Sequence, residues 1–375
     1  MMQGSWLKAN VPLLGLALLL WGCGTFHRHG VEQAQLRAYN SANSWTLSPQ
    51  VEDRILGLDP GHVTGKDIEA VLAHAPAPRM ICFHGGVPFV IPIMVNFCDF
   101  LAGMGYPRQS LTNPADGTFT FSCYESSEMI AGMIGWYYEH EGLRPMMVGH
   151  SQGGMQVVKV LYDFSPHAKG KVPVWNPLTW KRENRYEITD PLTGQRRSLT
   201  GFQVPYATSL AAGGLTRLMP NQLDMAFHLR AIPDSVEEFT GFYKGGDILG
   251  GDFLGYGSMN RFRPANSASV RNIELPASWS HYTIPNTRHL LESPAIKDRI
   301  NDYTPDKLPT LKDPANSNPE TLHMMWAQDV WFSIKKHWVL ELQRLIAARR
   351  AGATIGTPAK APELPDSRPK AGNGD

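Results

Sequence analysis

The clearest chemical signal in the chain is the run Gly149-His150-Ser151-Gln152-Gly153-Gly154. The apolar residues 145–148 before it predict a strand, and Met155 and Val158 after it recur at helical spacing. Ser151 therefore lies at the tip of a tight strand-to-helix turn, where glycines on both sides prevent collisions between the two elements. A serine hydroxyl held at the positive end of a helix dipole is suited to nucleophilic attack.

A second glycine turn follows another strand-like run. Residues 79–83 predict a buried strand, and His84-Gly85-Gly86-Val87 comes directly after it. Glycines let the backbone approach a bound molecule closely, so that N–H groups can stabilise negative charge on an oxygen atom.

The run from Gly149 to Gly154 resembles the nucleophile elbow of α/β-hydrolases, particularly lipases and esterases. The resemblance implies a mostly parallel sheet flanked by helices, with a cap inserted after the nucleophile half. It also implies a serine, an acid and a histidine in that chain order, and no metal or organic cofactor. The oxyanion hole implied by the family consists of the N–H of Gln152 and one in the first glycine turn, where Gly86 is favoured and Val87 is the alternative.

The acid is expected in a turn after a later strand. Residues 237–243 predict that strand, and Lys244-Gly245-Gly246-Asp247 follows it. Asp247 is the favoured acid, Asp252 the second candidate and Asp234 a distant third. A carboxylate there would fix the histidine tautomer and stabilise the imidazolium.

Two histidines are candidates for the base. His281 lies in the strand-like run 279–285, and His289 begins a helix-like segment just beyond it. The segment His289-Leu290-Leu291-Glu292-Ser293-Pro294 resembles the family's catalytic loop, so the sequence favours His289 over His281.

Other segments predict the elements that position these residues. Helices are expected at 91–104 and 125–141, with strands at 143–148 and 171–176, and this alternation indicates a parallel sheet. The alternation breaks down from 177 to about 233, which is predicted to be the cap. A long helix is expected from Asn318 to about Arg349, packed on the sheet, within a domain spanning 51–350; residues 351–375 have the composition of a disordered tail.

Residues 1–23 predict an export signal. Lys8 precedes the apolar run 11–21, and Leu20-Trp21-Gly22-Cys23 resembles the lipobox of bacterial lipoproteins. The resemblance implies lipidation of Cys23 and an outer-membrane location; a periplasmic or secreted protein is the alternative. The polar residues 24–50 predict a tether between the anchor and the domain. In an oxidising compartment, Cys98 and Cys123 are a plausible disulfide, and Cys82 a buried thiol.

The composition limits the functional classes. A net charge of +1 with 18% charged residues gives no basic face for nucleic acid. The expected activity is serine-dependent hydrolysis of carboxylic esters, either small molecules or lipids. An acyltransferase or thioesterase with the same residues, and a non-catalytic surface lipoprotein on a hydrolase scaffold, are the alternatives; the oligomeric state is left open.

Overall fold

A computed structural model of the chain describes residues 46–114, 116–166, 170–213, 230–252, 261–276, 278–305 and 319–352. The predicted signal segment with Cys23, most of the predicted tether, residues 214–229 and nearly all of the predicted tail lie outside these ranges. Within the described ranges, no helix combines the length and the apolar character that crossing a membrane requires.

The strands in the described ranges form one central sheet and three small pairs. In chain order they are β1 Met80–Phe83, β2 Met146–His150, β3 Trp175–Asn176, β4 Lys181–Arg182, β5 Glu187–Thr189, β6 Arg196–Ser198, β7 Val204–Leu210, β8 Ala231–Ile232, β9 Val236–Lys244, β10 Arg263–Pro264 and β11 Ser269–Leu275. The central sheet has the order β1-β2-β7-β9-β11, and each neighbouring pair in it is parallel. The carboxyl ends of its strands therefore meet at one edge, where the two glycine turns lie.

Described helices lie between β1 and β2, between β2 and β3, and at both ends of the strand-containing region. They are α1 Pro49–Leu56, α2 Gly65–Ala70, α3 Ile91–Gly103, α4 Arg108–Leu111, α5 Ser127–Glu141, α6 Gln152–Phe164, α7 Pro294–Asn301 and α8 Pro319–Arg350, with short 3-10 turns at Leu72–His74, Pro88–Val90 and Arg288–Glu292. The architecture of the described chain is thus α/β, with a parallel sheet between helices.

Several predicted elements are confirmed. The helix predicted at 125–141 runs from Ser127 to Glu141 and ends at Gly142, whose φ of 74° is left-handed. The helix predicted at 91–104 is α3, and the predicted C-terminal helix is α8. Trp326 and Trp338 of α8 are fully buried in the core against the sheet, as expected, and Trp331 is fully buried as well.

The predicted cap needs correction. Val204–Leu210, which falls inside the predicted range 177–233, is a fully buried central strand between β2 and β9. Its sequence Val-Pro-Tyr-Ala-Thr-Ser-Leu mixes polar and apolar residues, which hides the apolar run of a buried strand. Conversely, the strand predicted at 171–176 is only the two-residue β3, paired with β4 in a hairpin.

The predicted Cys98–Cys123 disulfide is also wrong. Cys82, Cys98 and Cys123 are all buried, and Cys98 and Cys123 are not joined by a disulfide. Burial raises the pKa of the Cys98 thiol well above its usual value, and the neighbouring Cys82 raises it further. These cysteines contribute to the core as apolar side chains rather than as a covalent link.

Candidate active site

Ser151 sits on a strained turn between β2 and α6. Its φ of 55° and ψ of −121° lie outside the regions that side-chain-bearing residues usually adopt. The turn is tight because its glycines leave no room for a side chain: a Cβ on Gly149 would lie 2.2 Å from the Gly153 oxygen, and a Cβ on Gly153 would lie 2.4 Å from the Phe83 oxygen. The Ser151 N–H donates to the Leu210 carbonyl at 2.8 Å, which fixes the turn on the end of β7.

His281 connects Ser151 to Asp247. Its Nε2 lies 2.8 Å from the Ser151 Oγ, and its Nδ1 lies 2.8 Å from an Asp247 carboxylate oxygen. Asp247 and His281 are buried, whereas Ser151 is half-buried. The three side chains therefore form a continuous hydrogen-bonded series from carboxylate to imidazole to hydroxyl.

The prediction that His289 rather than His281 is the base is wrong, because His281 is the histidine bonded to Ser151 and Asp247. The Nε2 of His289 lies 3.3 Å from the Nδ1 of His323 on α8, and it is not bonded to Ser151. The run 279–285 is not a strand; residues 281–285 form turns, and the last sheet strand ends earlier, at Leu275. His281 thus lies in a loop after the strand, and Ser151, Asp247 and His281 keep the expected chain order, which His289 would have satisfied equally.

Asp247 occupies the turn after β9 that the sequence favoured for the acid. Its other carboxylate oxygen accepts from the Gly250 N–H at 3.0 Å. Asp252, the second candidate, accepts from the Gly246 N–H at 2.8 Å and closes the same turn. The third candidate, Asp234, precedes β9 and is not part of this turn. Its carboxylate accepts hydrogen bonds from the N–H groups of Ser267 and Ala268.

The surroundings of Asp247 and His150 lower the pKa values of both side chains. Burial acts to raise the pKa of Asp247, but the hydrogen bond and charge of His281 and the Gly250 N–H outweigh burial, so that the pKa is lowered. The neighbouring His150 has a pKa lowered to about 3, mainly by burial and also by His281. His150 is therefore neutral at physiological pH, and its Nε2, 2.7 Å from the His281 carbonyl oxygen, must carry the proton that it donates there.

The first glycine turn lies against the second one. A Cβ on Gly85 would lie 3.2 Å from the Cβ of Ser151, and a Cβ on Gly86 would lie 2.2 Å from the side-chain oxygen of Gln152. Among the described residues, none accepts a hydrogen bond from the N–H of Gly86, Val87 or Gln152. Backbone N–H groups without a described acceptor are therefore present in the two turns next to Ser151, at the positive end of α6.

Sequence reasoning missed three side chains that support this site. His84 has its Nδ1 2.8 Å from the Gly85 carbonyl oxygen, the Tyr124 hydroxyl donates to the Gly86 carbonyl at 2.7 Å, and His150 donates to His281. His84 directly precedes Gly85 and His150 directly precedes Ser151, so their positions in the sequence could have indicated a role in the site. Tyr124 lies far from both turns in the sequence and gave no such indication.

Three large apolar side chains that follow site residues in the chain are exposed: Phe89, Tyr282 and Ile248, together called the apolar rim. Their exposures of 57%, 37% and 60% are high for large apolar side chains. Tyr282 follows His281, Ile248 follows Asp247, and Phe89 follows the first glycine turn, with its ring 5.0 Å from that of Tyr282. The rim offers contact surface to an apolar molecule bound at Ser151.

No known family model matches the chain, and no curated protein sequence matches it. Within the described residues, no three His, Cys, Asp or Glu side chains are grouped as a metal ion would require. What this arrangement can do rests on its own geometry: a hydroxyl, an imidazole and a carboxylate in series, beside N–H groups with unused hydrogen-bonding capacity.

Proposed function

We propose that this protein is a serine hydrolase of the α/β-hydrolase fold that cleaves carboxylic esters through an acyl-enzyme on Ser151. The single observation that carries the proposal is the position of His281, hydrogen-bonded at 2.8 Å both to the Ser151 hydroxyl and to Asp247. Such a series is the arrangement that activates a serine for acyl transfer. The parallel sheet and the strained turn at Ser151 are the context that the fold assignment requires.

In the proposed mechanism, His281 accepts the hydroxyl proton as the Ser151 oxygen attacks the ester carbonyl. Asp247 remains ionised, holds the imidazole in the required tautomer and stabilises the imidazolium. The N–H groups of Gln152 and Gly86, with Val87 as the alternative to Gly86, receive the negative charge that forms on the carbonyl oxygen. His281 then protonates the leaving alcohol, and water hydrolyses the acyl-enzyme by the reverse sequence of proton transfers.

The apolar rim supports an ester with an apolar acyl or alcohol group, in a small molecule or a lipid. An acyltransferase or a thioesterase would use the same residues. Product analysis with an added alcohol distinguishes transfer from hydrolysis, because a transferase forms the new ester in preference to the free acid. We further propose that the chain is exported and anchored through Cys23, which mass spectrometry of the mature N-terminus would test.

The nucleophile is tested with a fluorophosphonate probe. We expect the wild-type protein to be labelled at Ser151 and Ser151→Ala to be unlabelled, because the probe requires an activated hydroxyl. A folded wild-type protein that is not labelled would favour a non-catalytic surface lipoprotein on a hydrolase scaffold. Equal labelling of Ser151→Ala would place the nucleophile elsewhere.

The base is tested with a matched pair of histidine variants. His281→Ala should lower kcat for p-nitrophenyl butyrate by about a thousandfold or more, because the imidazole that it removes is the described group placed to take the Ser151 proton. His289→Ala, which removes an imidazole bonded to His323, should retain kcat within about threefold. Loss of activity in His289→Ala alone would contradict the assignment of His281.

A further inference from the structure

The glycine turn that supplies the proposed oxyanion donors is held from outside by side chains. The Tyr124 hydroxyl donates to the Gly86 carbonyl at 2.7 Å, and the Nδ1 of His84 donates to the Gly85 carbonyl at 2.8 Å. Two consecutive peptide groups of a glycine-rich turn would otherwise rotate freely. Each of them has its carbonyl oxygen held by a side-chain hydrogen bond.

Fixing a carbonyl also fixes the N–H on the other side of the same peptide. In a trans peptide these two groups point in opposite directions, and the described chain contains no cis peptide. The Gly85 carbonyl therefore sets the direction of the Gly86 N–H, and the Gly86 carbonyl sets the direction of the Val87 N–H. These are the two candidate donors for the oxyanion.

Tyr124 is itself held on the main body of the fold. The segment that carries it runs beside the end of β1: the Phe121 N–H donates to the Cys82 carbonyl at 2.7 Å, and the His84 N–H donates to the Phe121 carbonyl at 3.2 Å. On the other side, the Gln156 side chain of α6 donates to the Glu125 carbonyl at 2.7 Å. The tyrosine thus connects the helix that begins after Ser151 to the oxyanion turn.

We propose that Tyr124 is a positioning residue of the oxyanion hole. Its hydroxyl holds the Gly86 carbonyl so that the Val87 N–H, on the same peptide, keeps the direction in which it receives the developing charge. The Gly86 N–H is held through the Gly85 carbonyl by His84 instead. It does not serve as an oxyanion donor, because its one phenolic proton is given to Gly86. This inference rests on the proposed function, since it assigns a role within the same site.

The test is Tyr124→Phe, which removes the hydroxyl and keeps the ring. The matched control is Tyr162→Phe on α6, because Tyr162 is also half-buried and its hydroxyl also donates to a backbone carbonyl at 2.7 Å, that of Ala231. Tyr162 lies near the far end of α6 from Ser151. Measurements are kcat and KM for p-nitrophenyl butyrate, the inhibition constant of phenylboronic acid, which forms a tetrahedral adduct on serine, and Tm.

We expect Tyr124→Phe to lower kcat by about tenfold or more and to weaken phenylboronic acid by a similar factor, with KM within about twofold. Tm should change by no more than a few degrees, and Tyr162→Phe should keep wild-type kcat. A merely structural role would lower Tm and the fraction of labelled sites, and leave kcat per labelled site unchanged.

Wild-type kcat and wild-type inhibitor affinity in Tyr124→Phe would overturn the proposal, and so would a loss of activity fully accounted for by unfolded protein. If Tyr124→Phe does not fold, Gln156→Met releases the same segment from α6, and its kcat and inhibitor affinity decide the question in the same way. An unlabelled wild-type protein would be a separate result: it refutes the proposed function, and this inference falls with it.

Discussion

At the level of single residues, the turn after β9 buries two carboxylates that differ in what they contact. Asp247 accepts a hydrogen bond from His281, whereas Asp252 accepts from the Gly246 N–H, and its own N–H donates to the Asp247 carbonyl. One carboxylate acts on the imidazole and the other shapes the loop. The two residues are five positions apart, and the sequence ranked them without being able to tell these contacts apart.

This difference gives a prediction for the two asparagine variants. Asp247→Asn should lower kcat by about a thousandfold or more, because the amide no longer stabilises the imidazolium or the tautomer that accepts the Ser151 proton. Asp252→Asn keeps an oxygen acceptor for Gly246 and should lower kcat by less than about tenfold. Kinetics on both folded variants check this, and similar losses in the two would mean that Asp247 acts only on the shape of the turn.

At the level of elements, the turn at Ser151 packs closely against the end of β1, and the position of the proposed site depends on this contact. Gly153 presses on β1: a Cβ there would lie 2.4 Å from the Phe83 oxygen and 2.8 Å from the His84 oxygen, and both of these are backbone atoms that cannot rotate away. The turn carrying the nucleophile and the strand leading to the oxyanion turn are thus set against each other at a contact only glycine allows.

Gly153→Ala should therefore reduce the free energy of unfolding by about 1–3 kcal/mol and lower kcat, because the added methyl group must displace the end of β1. Gly170→Ala is the matched control, since a Cβ on that exposed glycine meets no atom within 4 Å; it should change stability by less than about 0.5 kcal/mol. Urea denaturation of both variants measures the difference. An unchanged midpoint for Gly153→Ala would show that the contact can relax.

The elements that the sequence predicted well are those with a local signal. The helices α3, α5 and α8 have apolar residues at helical spacing, and Ser151 lies between glycines. The strand β11, Ser-Val-Arg-Asn-Ile-Glu-Leu, was missed because it is an edge strand with polar residues. Its Arg271 is stabilised there by Asp329 of α8, at 2.8 Å, a partner that no local pattern reveals. Without β11 the last strand was placed too late, and that displaced the choice of histidine from His281 to His289.

At the level of the whole molecule, α8 connects the sheet to the loop that carries His281. Buried polar contacts link it to the sheet: Asp329 bonds Arg271, and Lys336 and Ser333 both bond Glu238, at 2.7 and 2.8 Å. Burial acts to raise the pKa of Glu238, but His337 and Lys336 outweigh it and hold the pKa far below its usual value. At its other end, α8 places His323 against His289, the ring of Trp279 and the backbone of Thr283 in the loop that carries His281.

This arrangement predicts how stability depends on pH. The pKa of His323 is lowered to about 4, mainly by burial and also by His289, whereas an unfolded histidine titrates near 6.5. Between these values the unfolded chain binds the additional proton, so the free energy of unfolding must fall as the pH is lowered from about 6.5 towards 4. His150 also makes the free energy of unfolding fall at low pH, since its pKa is lowered to about 3.

The slope of unfolding free energy against pH, measured by urea denaturation between pH 5 and 6, should therefore be positive, and His323→Gln should reduce it by about 1 kcal/mol per pH unit. His62→Gln, at an exposed position, is the control and should keep the wild-type slope. An unaltered slope in His323→Gln would contradict the prediction, because it would mean that His323 binds its proton in the folded protein as readily as in the unfolded chain.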